Sequence, residues 1–248
     1  MEQNGYSLTK EQIDEFHENG FLHLKNVFSN KYCLELLDEA EEKSNGFYTN
    51  YLHFHRTGKF RKLIAGKTMC DIGDSLMDHK MIPCGSGFFF CKPNNPLEHG
   101  SVWHQDNYSV KAPFNSYLNL AVVLDDADES NGSLTVVPGS HKLGDLPNDP
   151  KPNFKYDEEG RLYQFAPIGN NCEVPEGYPI VNLTYNRGDV LCIHAHIVHK
   201  ANKNVHETKW RRKIYLDYIK NGDPFWPGWT AKRLLLERYD SPHYKDED

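Results

Sequence analysis

The sequence has no Cys-x-x-Cys pair; its six cysteines, at 33, 70, 84, 91, 172 and 192, are dispersed through 248 residues. That spacing offers no cysteine-rich zinc site. Cys33, Cys91 and Cys192 stand among apolar neighbours, so reduced, buried thiols are expected rather than disulfides. Positive charge is not in surplus either. The net charge is −7, and the densest basic run, Lys209 to Lys213, is interrupted by Trp210. No electrostatic footprint for nucleic acid follows. No apolar run approaches the roughly 20 residues that a membrane helix needs. Met1 to Lys10 is polar and lacks the apolar centre of a secretory signal, so no membrane association and a cytoplasmic location are expected. No internal repeat is visible.

What remains is the composition of a globular chain, 38% hydrophobic and 25% charged. Thr9-Lys10-Glu11-Gln12 has the form of a capping box and predicts a helix carrying Ile13 and Phe16 on its inner face, ended by Gly20. Phe21 to Leu24 reads as a short strand. Ser29 can cap a second helix with Cys33, Leu36, Leu37 and Ala40 on one stripe. Residues 46 to 68 are aromatic, basic and irregular, and 69 to 81 predict a third helix. From Gly85 the texture changes to short β-type runs between Pro, Gly, Asn and Asp: 86–92, 101–106, 117–124, 133–138, 180–184, 189–198 and 212–219. This spacing predicts an all-β sandwich or barrel. Residues 142 to 179 are turn-rich with few apolar anchors, as in a lid or substrate loop. Residues 1–80 are too thinly apolar to stand alone, so one domain over 1–248 is expected. Its N-terminal helices, to about 82, would pack on a barrel of about 83–222, followed by a tail, 223–248.

Trp103-His104-Gln105-Asp106 carries the chemistry. Alternate residues of an extended strand share a face, so His104 and Asp106 would bind one ion while Gln105 points elsewhere. Two imidazoles and one carboxylate are the set that holds one face of a non-haem Fe(II) ion and leaves the opposite face open. The third ligand must come from another strand. Asp189 to His199 is β-prone and carries His194, His196 and His199, of which one is needed and the others would be satisfied core histidines.

The surroundings of this pair carry a resemblance. Phe88-Phe89-Phe90-Cys91-Lys92-Pro93 precedes Trp103-His104-Gln105-Asp106-Asn107-Tyr108. Leu118 to Asp125 leads into Asn131-Gly132-Ser133-Leu134, then Val137-Pro138-Gly139-Ser140-His141-Lys142. Gly188-Asp189-Val190 precedes His199, with Asn204, Arg211 and Arg212 beyond. In order and spacing these segments resemble the phytanoyl-CoA dioxygenase family of Fe(II)/2-oxoglutarate oxygenases. The resemblance implies a mainly β fold with flanking helices, a double-stranded β-helix or jelly-roll barrel. It implies His104, Asp106 and His199 as iron ligands, with 2-oxoglutarate and O2 as cosubstrates. It also implies an arginine for the far carboxylate of 2-oxoglutarate, whose fork suits a carboxylate. That arginine usually lies eleven residues after the distal histidine. Here that position is Trp210, so a one-residue insertion makes Arg211 the anchor, with Arg212 its rival because strand alternation turns one of the two inward. Lys92 and Gln105 are further candidates for the cosubstrate, and Tyr108, Asn107 and Arg56 for the substrate. Halogenating relatives have a small residue where Asp106 stands, so hydroxylation or a related oxidation is implied.

Asn131-Gly132 reads as a turn, Pro138 to His141 as a structural loop, and Trp226-Pro-Gly-Trp229 as an anchor for the tail. The competing readings are a zinc hydrolase, whose metal accepts the same ligand types, and a non-catalytic small-molecule-binding barrel. The former lacks an obvious general base, and the latter leaves an intact triad unexplained. Fold and triad do not choose a substrate. The basic, aromatic stretch Phe47 to Lys62 favours a small polar molecule.

Overall fold

A computed structural model describes residues 4–44, 58–93, 100–149, 154–156, 162–164, 171–228 and 233–245. The first helix, α1 (Lys10–Asn19), is closed at its start by the reciprocal Thr9–Gln12 capping box and at its end by left-handed Gly20. After β1 (Phe21–Leu24), α2 (Asn30–Ser44) begins where the Ser29 hydroxyl accepts the Tyr32 N–H at 3.2 Å. It buries the Cys33, Leu36, Leu37 and Ala40 stripe. Helices α3 (Gly58–Ala65) and α4 (Lys67–Met77) follow. The expected irregular stretch therefore ends in a helix: Phe60, Leu63 and Ile64 recur at helical spacing and are buried. The remainder of that stretch, with Arg56, lies outside the described residues.

The barrel is built from β2 (Met81–Cys91), β3 (Tyr117–Val123), β4 (Leu134–Val136), the short β5 (Asn148–Asp149), β6 (Phe154–Tyr156), β7 (Leu162–Gln164), β8 (Asn171–Cys172) and β9 (Val181–Asn182), then β10 (Val190–His194), β11 (His199–Ala201) and β12 (Arg211–Lys220). Five strands form one antiparallel sheet in the order β1-β10-β3-β12-β2, and three form a second, β11-β4-β9. The stretch 142–179 contributes two small strand pairs, β5 with β8 and β6 with β7. The order of non-consecutive neighbours and the two facing sheets make this a jelly roll.

Alternation along the strands divides the larger sheet cleanly. Ile214, Leu216 and Tyr218 of β12, with Leu118, Leu120 and Val122 of β3, pack against the helices. Ala121, Val123, Leu191 and Ile193 face the other way and meet Leu134 and Val136 of the second sheet. The same alternation points Arg211, Lys213 and Asp217 into the barrel, and all three are buried. All six cysteines are buried, and none forms a disulfide. Among the described residues no helix is long and apolar enough to cross a membrane.

Candidate active site

Residues 101–106 do not form the expected strand. His104 makes a single antiparallel bridge with His199, through His104 N–H to His199 O at 2.9 Å and His199 N–H to His104 O at 3.0 Å. Asp106 then opens a 3-10 turn, Asp106–Ser109. The physical reason lies in Gln105 and Asn107. The Gln105 amide donates to His196 O (2.6 Å) and Gly144 O (2.8 Å) and accepts Leu146 N–H (2.8 Å). Asn107 N–H reaches Ala195 O at 3.0 Å, and its side chain bonds Ala112 and Asp145. These bonds sew the segment along residues 195–199 instead of into a sheet.

The result brings His104, Asp106 and His199 together, with one ligand-type atom of each within 4.8 Å of the others. An Asp106 carboxylate oxygen lies 3.7 Å from His104 Nε2 and 3.8 Å from His199 Nε2. Each imidazole holds its Nδ1 on a carbonyl two residues upstream, Val102 O at 2.7 Å and Ile197 O at 3.1 Å. A carbonyl only accepts, so Nδ1 carries the proton and the Nε2 lone pair is left for a metal. Burial pushes His199 down to about 4, helped by His104 and opposed by Asp106, so its ring is neutral at neutral pH. A neutral imidazole is the form that ligates.

His194 and His196 lie outside this triad. His194 is satisfied by Asn115 Oδ1 (2.9 Å) and His196 N–H (3.1 Å), and burial, with His141, His196 and His17, pushes it down to about 3. His196 Nε2 lies 3.2 Å from Asp145.

Arg211 opens β12 on its inner face and is 2% exposed. One of its terminal nitrogens donates to Cys91 Sγ, while Nε and Nη1 have no hydrogen-bond partner among the described residues. Among the described residues the buried Ser133 Oγ is likewise without one. Tyr185 is pushed up to about 12 by burial, with the neighbouring Arg211 charge opposing. Gly132 lies against the guanidinium: a Cβ there would stand 3.1 Å from Arg211 Nε and 2.6 Å from Asn202 O, and its φ of 91° suits glycine. A buried cation with no acidic partner among the described residues is costly, so this pocket fits an anion with at least two acceptor oxygens. Arg212 turns to the helix side, where its guanidinium grips Asp125 in a fork at 2.7 and 2.9 Å.

Lys92 is exposed, with its ammonium over the Trp210 ring. The second cation inside the barrel is instead Lys213, 6% exposed and on the Arg211 face. Burial and Arg211 push it down to about 7, against Cys91 and Asp106. Alternation from Arg211 points to Lys213 in the sequence, where it stands only as the end of the interrupted basic run Lys209 to Lys213. Asn131, fully buried, bonds the carbonyls of Asp126 and Trp210 and so shapes the approach to Arg211, and Ser140 Oγ accepts Val198 N–H at 2.8 Å just before His199. Tyr108, half-buried, sits on the Asp106 turn. The backbone N–H of Trp226 ties the tail to Val110 O at 2.6 Å; Trp229 lies outside the described residues.

The model of the phytanoyl-CoA dioxygenase family matches residues 16–213. The chain is 23% identical over 245 residues to an ectoine dioxygenase of Bordetella bronchiseptica, covering 86% of this chain and 75% of that protein. It is 27% identical over 216 residues to phytanoyl-CoA dioxygenase 1 of Oryza sativa subsp. japonica, covering 86% and 71%. Its fold is similar to that of the epimerase SnoN in complex with Fe3+, alpha ketoglutarate and nogalamycin RO, with a TM-score of 0.69 at 18% identity over 88% of this chain and 86% of that one. With a family match over most of its length, the chain belongs to the phytanoyl-CoA dioxygenase family, the Fe(II)- and 2-oxoglutarate-dependent non-haem iron dioxygenases.

Proposed function

We propose that the protein hydroxylates a C–H bond of a small polar organic molecule, with release of succinate and CO2. His104, Asp106 and His199 hold the Fe(II), and Arg211 holds the far carboxylate of 2-oxoglutarate, with Lys213 as a second positive charge beside it. The observation that carries this reading is a pairing. Two imidazoles present Nε2 lone pairs beside one carboxylate, and the buried guanidinium in the same barrel has two nitrogens without partners among the described residues.

When bound, the metal and keto acid supply an oxidant made from O2. The chain's own residues fix geometry and charge. The Val102 and Ile197 carbonyls set the tautomer and ring orientation of the two histidines. The Arg211 fork orients the cosubstrate by two parallel hydrogen bonds, which a point charge cannot copy. Tyr108, on the turn that presents Asp106, is the described candidate for substrate contact, with Arg56 a second outside the described residues. The amides of Gln105 and Asn107 bond the protein itself, so they serve this site by holding the ligand segment. Relatives named for ectoine and for phytanoyl-CoA support an organic substrate that is small beside the protein.

The test is a screen of small polar metabolites with purified protein, Fe(II), ascorbate, 2-oxoglutarate and O2, reading succinate and a product heavier by one oxygen. The expected result is substrate-stimulated succinate release that Asp106→Ala abolishes. Turnover supported by Zn(II) alone, without 2-oxoglutarate, would instead identify a hydrolase.

A further inference from the structure

After β12 the chain returns across the barrel as a strap. Leu234 N–H bonds Cys84 O (2.9 Å), Leu236 N–H bonds Pro83 O (2.8 Å) and Tyr239 N–H bonds Ala65 O (2.8 Å). Arg238, 3% exposed, grips Asp74 with two bonds of 2.7 Å. From this strap Arg233 sends its guanidinium toward the inner face of β12, where Nε lies 3.6 Å from the buried Asp217 carboxylate. Asn119 donates to the other Asp217 oxygen at 3.1 Å. Gly85 of β2 makes the room: a Cβ there would stand 2.8 Å from Asp217 Oδ2 and 3.5 Å from Arg233 Cγ.

The guanidinium carbon lies 5.9 Å over the Tyr117 ring, and the backbone N–H bonds Pro227 O at 2.8 Å; two further contacts of the guanidinium lead toward the metal triad. Nη1 donates to Ser109 O and Nη2 to Ser109 Oγ, both at 3.2 Å. The Ser109 hydroxyl in turn donates its single proton to Asp106 O at 3.0 Å. Asp106 and Ser109 are the two ends of one four-residue 3-10 turn, a conformation with poor intrinsic hydrogen-bond geometry. Its first half is sewn to residues 195–199 by Gln105 and Asn107. Its far end is gripped by a guanidinium that arrives from more than a hundred residues later.

We propose that Arg233 is a positioning residue: through Ser109 it fixes the turn that presents Asp106, and it thereby couples seating of the C-terminal strap to metal affinity. This rests on the reading of Asp106 as a metal ligand. The guanidinium also places a positive charge beside Asp217, which keeps that buried carboxylate from standing as an uncompensated anion.

The test is anaerobic calorimetric titration of the full chain with Ni(II) and with Co(II), whose visible spectrum also reports ligand geometry. Arg233→Gln should weaken metal binding by about tenfold or more, as for other residues that orient ligands from behind, and should change the Co(II) spectrum. Arg233→Lys, a single donor with the charge kept, should recover part of the loss. Ser109→Ala, which removes one hydroxyl and keeps the test open should Arg233→Gln not fold, should weaken binding in the same direction. The double variant should bind no more weakly than Arg233→Gln alone, because both act on one path. Wild-type affinity and spectrum in Arg233→Gln or Ser109→Ala, or strictly additive losses, would overturn the proposal while leaving the triad intact. A wild-type protein whose metal binding is indifferent to Asp106→Ala would overturn the triad and this proposal together.

Discussion

His104 and His199 are prepared for a metal by the same local device, a Nδ1–H donated to the carbonyl two residues upstream. Arg211 stands in the opposite circumstance, buried with Nε and Nη1 lacking a hydrogen-bond partner among the described residues, which suits the carboxylate proposed for it. Two predictions belong at this scale. Arg211→Lys keeps the charge but loses the fork, so calorimetry in the presence of metal should show 2-oxoglutarate binding weakened by ~10- to 100-fold, or about 1.5–3 kcal/mol, with metal affinity unchanged. Lys213 adds a pH dependence. Its free-state value is about 7, and a dianion favours the protonated form, so binding takes up a proton. Affinity for 2-oxoglutarate should therefore strengthen as pH falls from about 8 to 6, and Lys213→Met should flatten that profile. The grouping of His104, Asp106 and His199 and the inward turn of Arg211 were legible in the sequence because family motifs surround them. Lys213 was not, because a lysine inside a basic run has no local mark of burial; the facing of its strand decides it.

At the scale of elements, sequence and structure part over how His104 and Asp106, two positions apart, come to one place. Alternation on a strand is the simplest way to put His104 and Asp106 on one ion. The chain uses one bridged residue and then a 3-10 turn, because Gln105 and Asn107 offer side-chain amides that compete with sheet pairing. Gln105→Leu should therefore act on the fold as well as the site. It leaves Leu146 N–H and the Gly144 and His196 carbonyls short of a partner, at a cost of about 1–3 kcal/mol. Urea unfolding should show a lower midpoint with an unchanged slope. The capping box of α1 and the α2 stripe were readable because both are short-range patterns. Helix α3 was missed since its apolar spacing is brief and lies in a basic, aromatic stretch.

For the whole molecule, two sheets and a helical layer hold a polar interior next to a buried histidine cluster. His194, His141 and His196 are each held below the usual histidine value, chiefly by burial. A depressed value in the folded state means that stability is present above the unfolded value of about 6.5 and is lost as pH falls toward the folded one. For His194 alone that loss has a limiting slope of about 1.4 kcal/mol per pH unit below about 6. Chemical denaturation between pH 7 and 5 should show it, and His194→Gln should flatten the profile. The jelly roll was legible from turn-separated β runs and from the family resemblance. The strap that returns Arg233 to the barrel was not, since its contacts depend on chain separations that no local pattern encodes.

The most direct test of the account is anaerobic calorimetry of 2-oxoglutarate binding with and without Fe(II). The account predicts binding that requires the metal, is lost in Asp106→Ala together with metal binding, and is lost in Arg211→Met while metal binding remains. Equal binding of 2-oxoglutarate without metal, or undiminished binding in Arg211→Met, would contradict it.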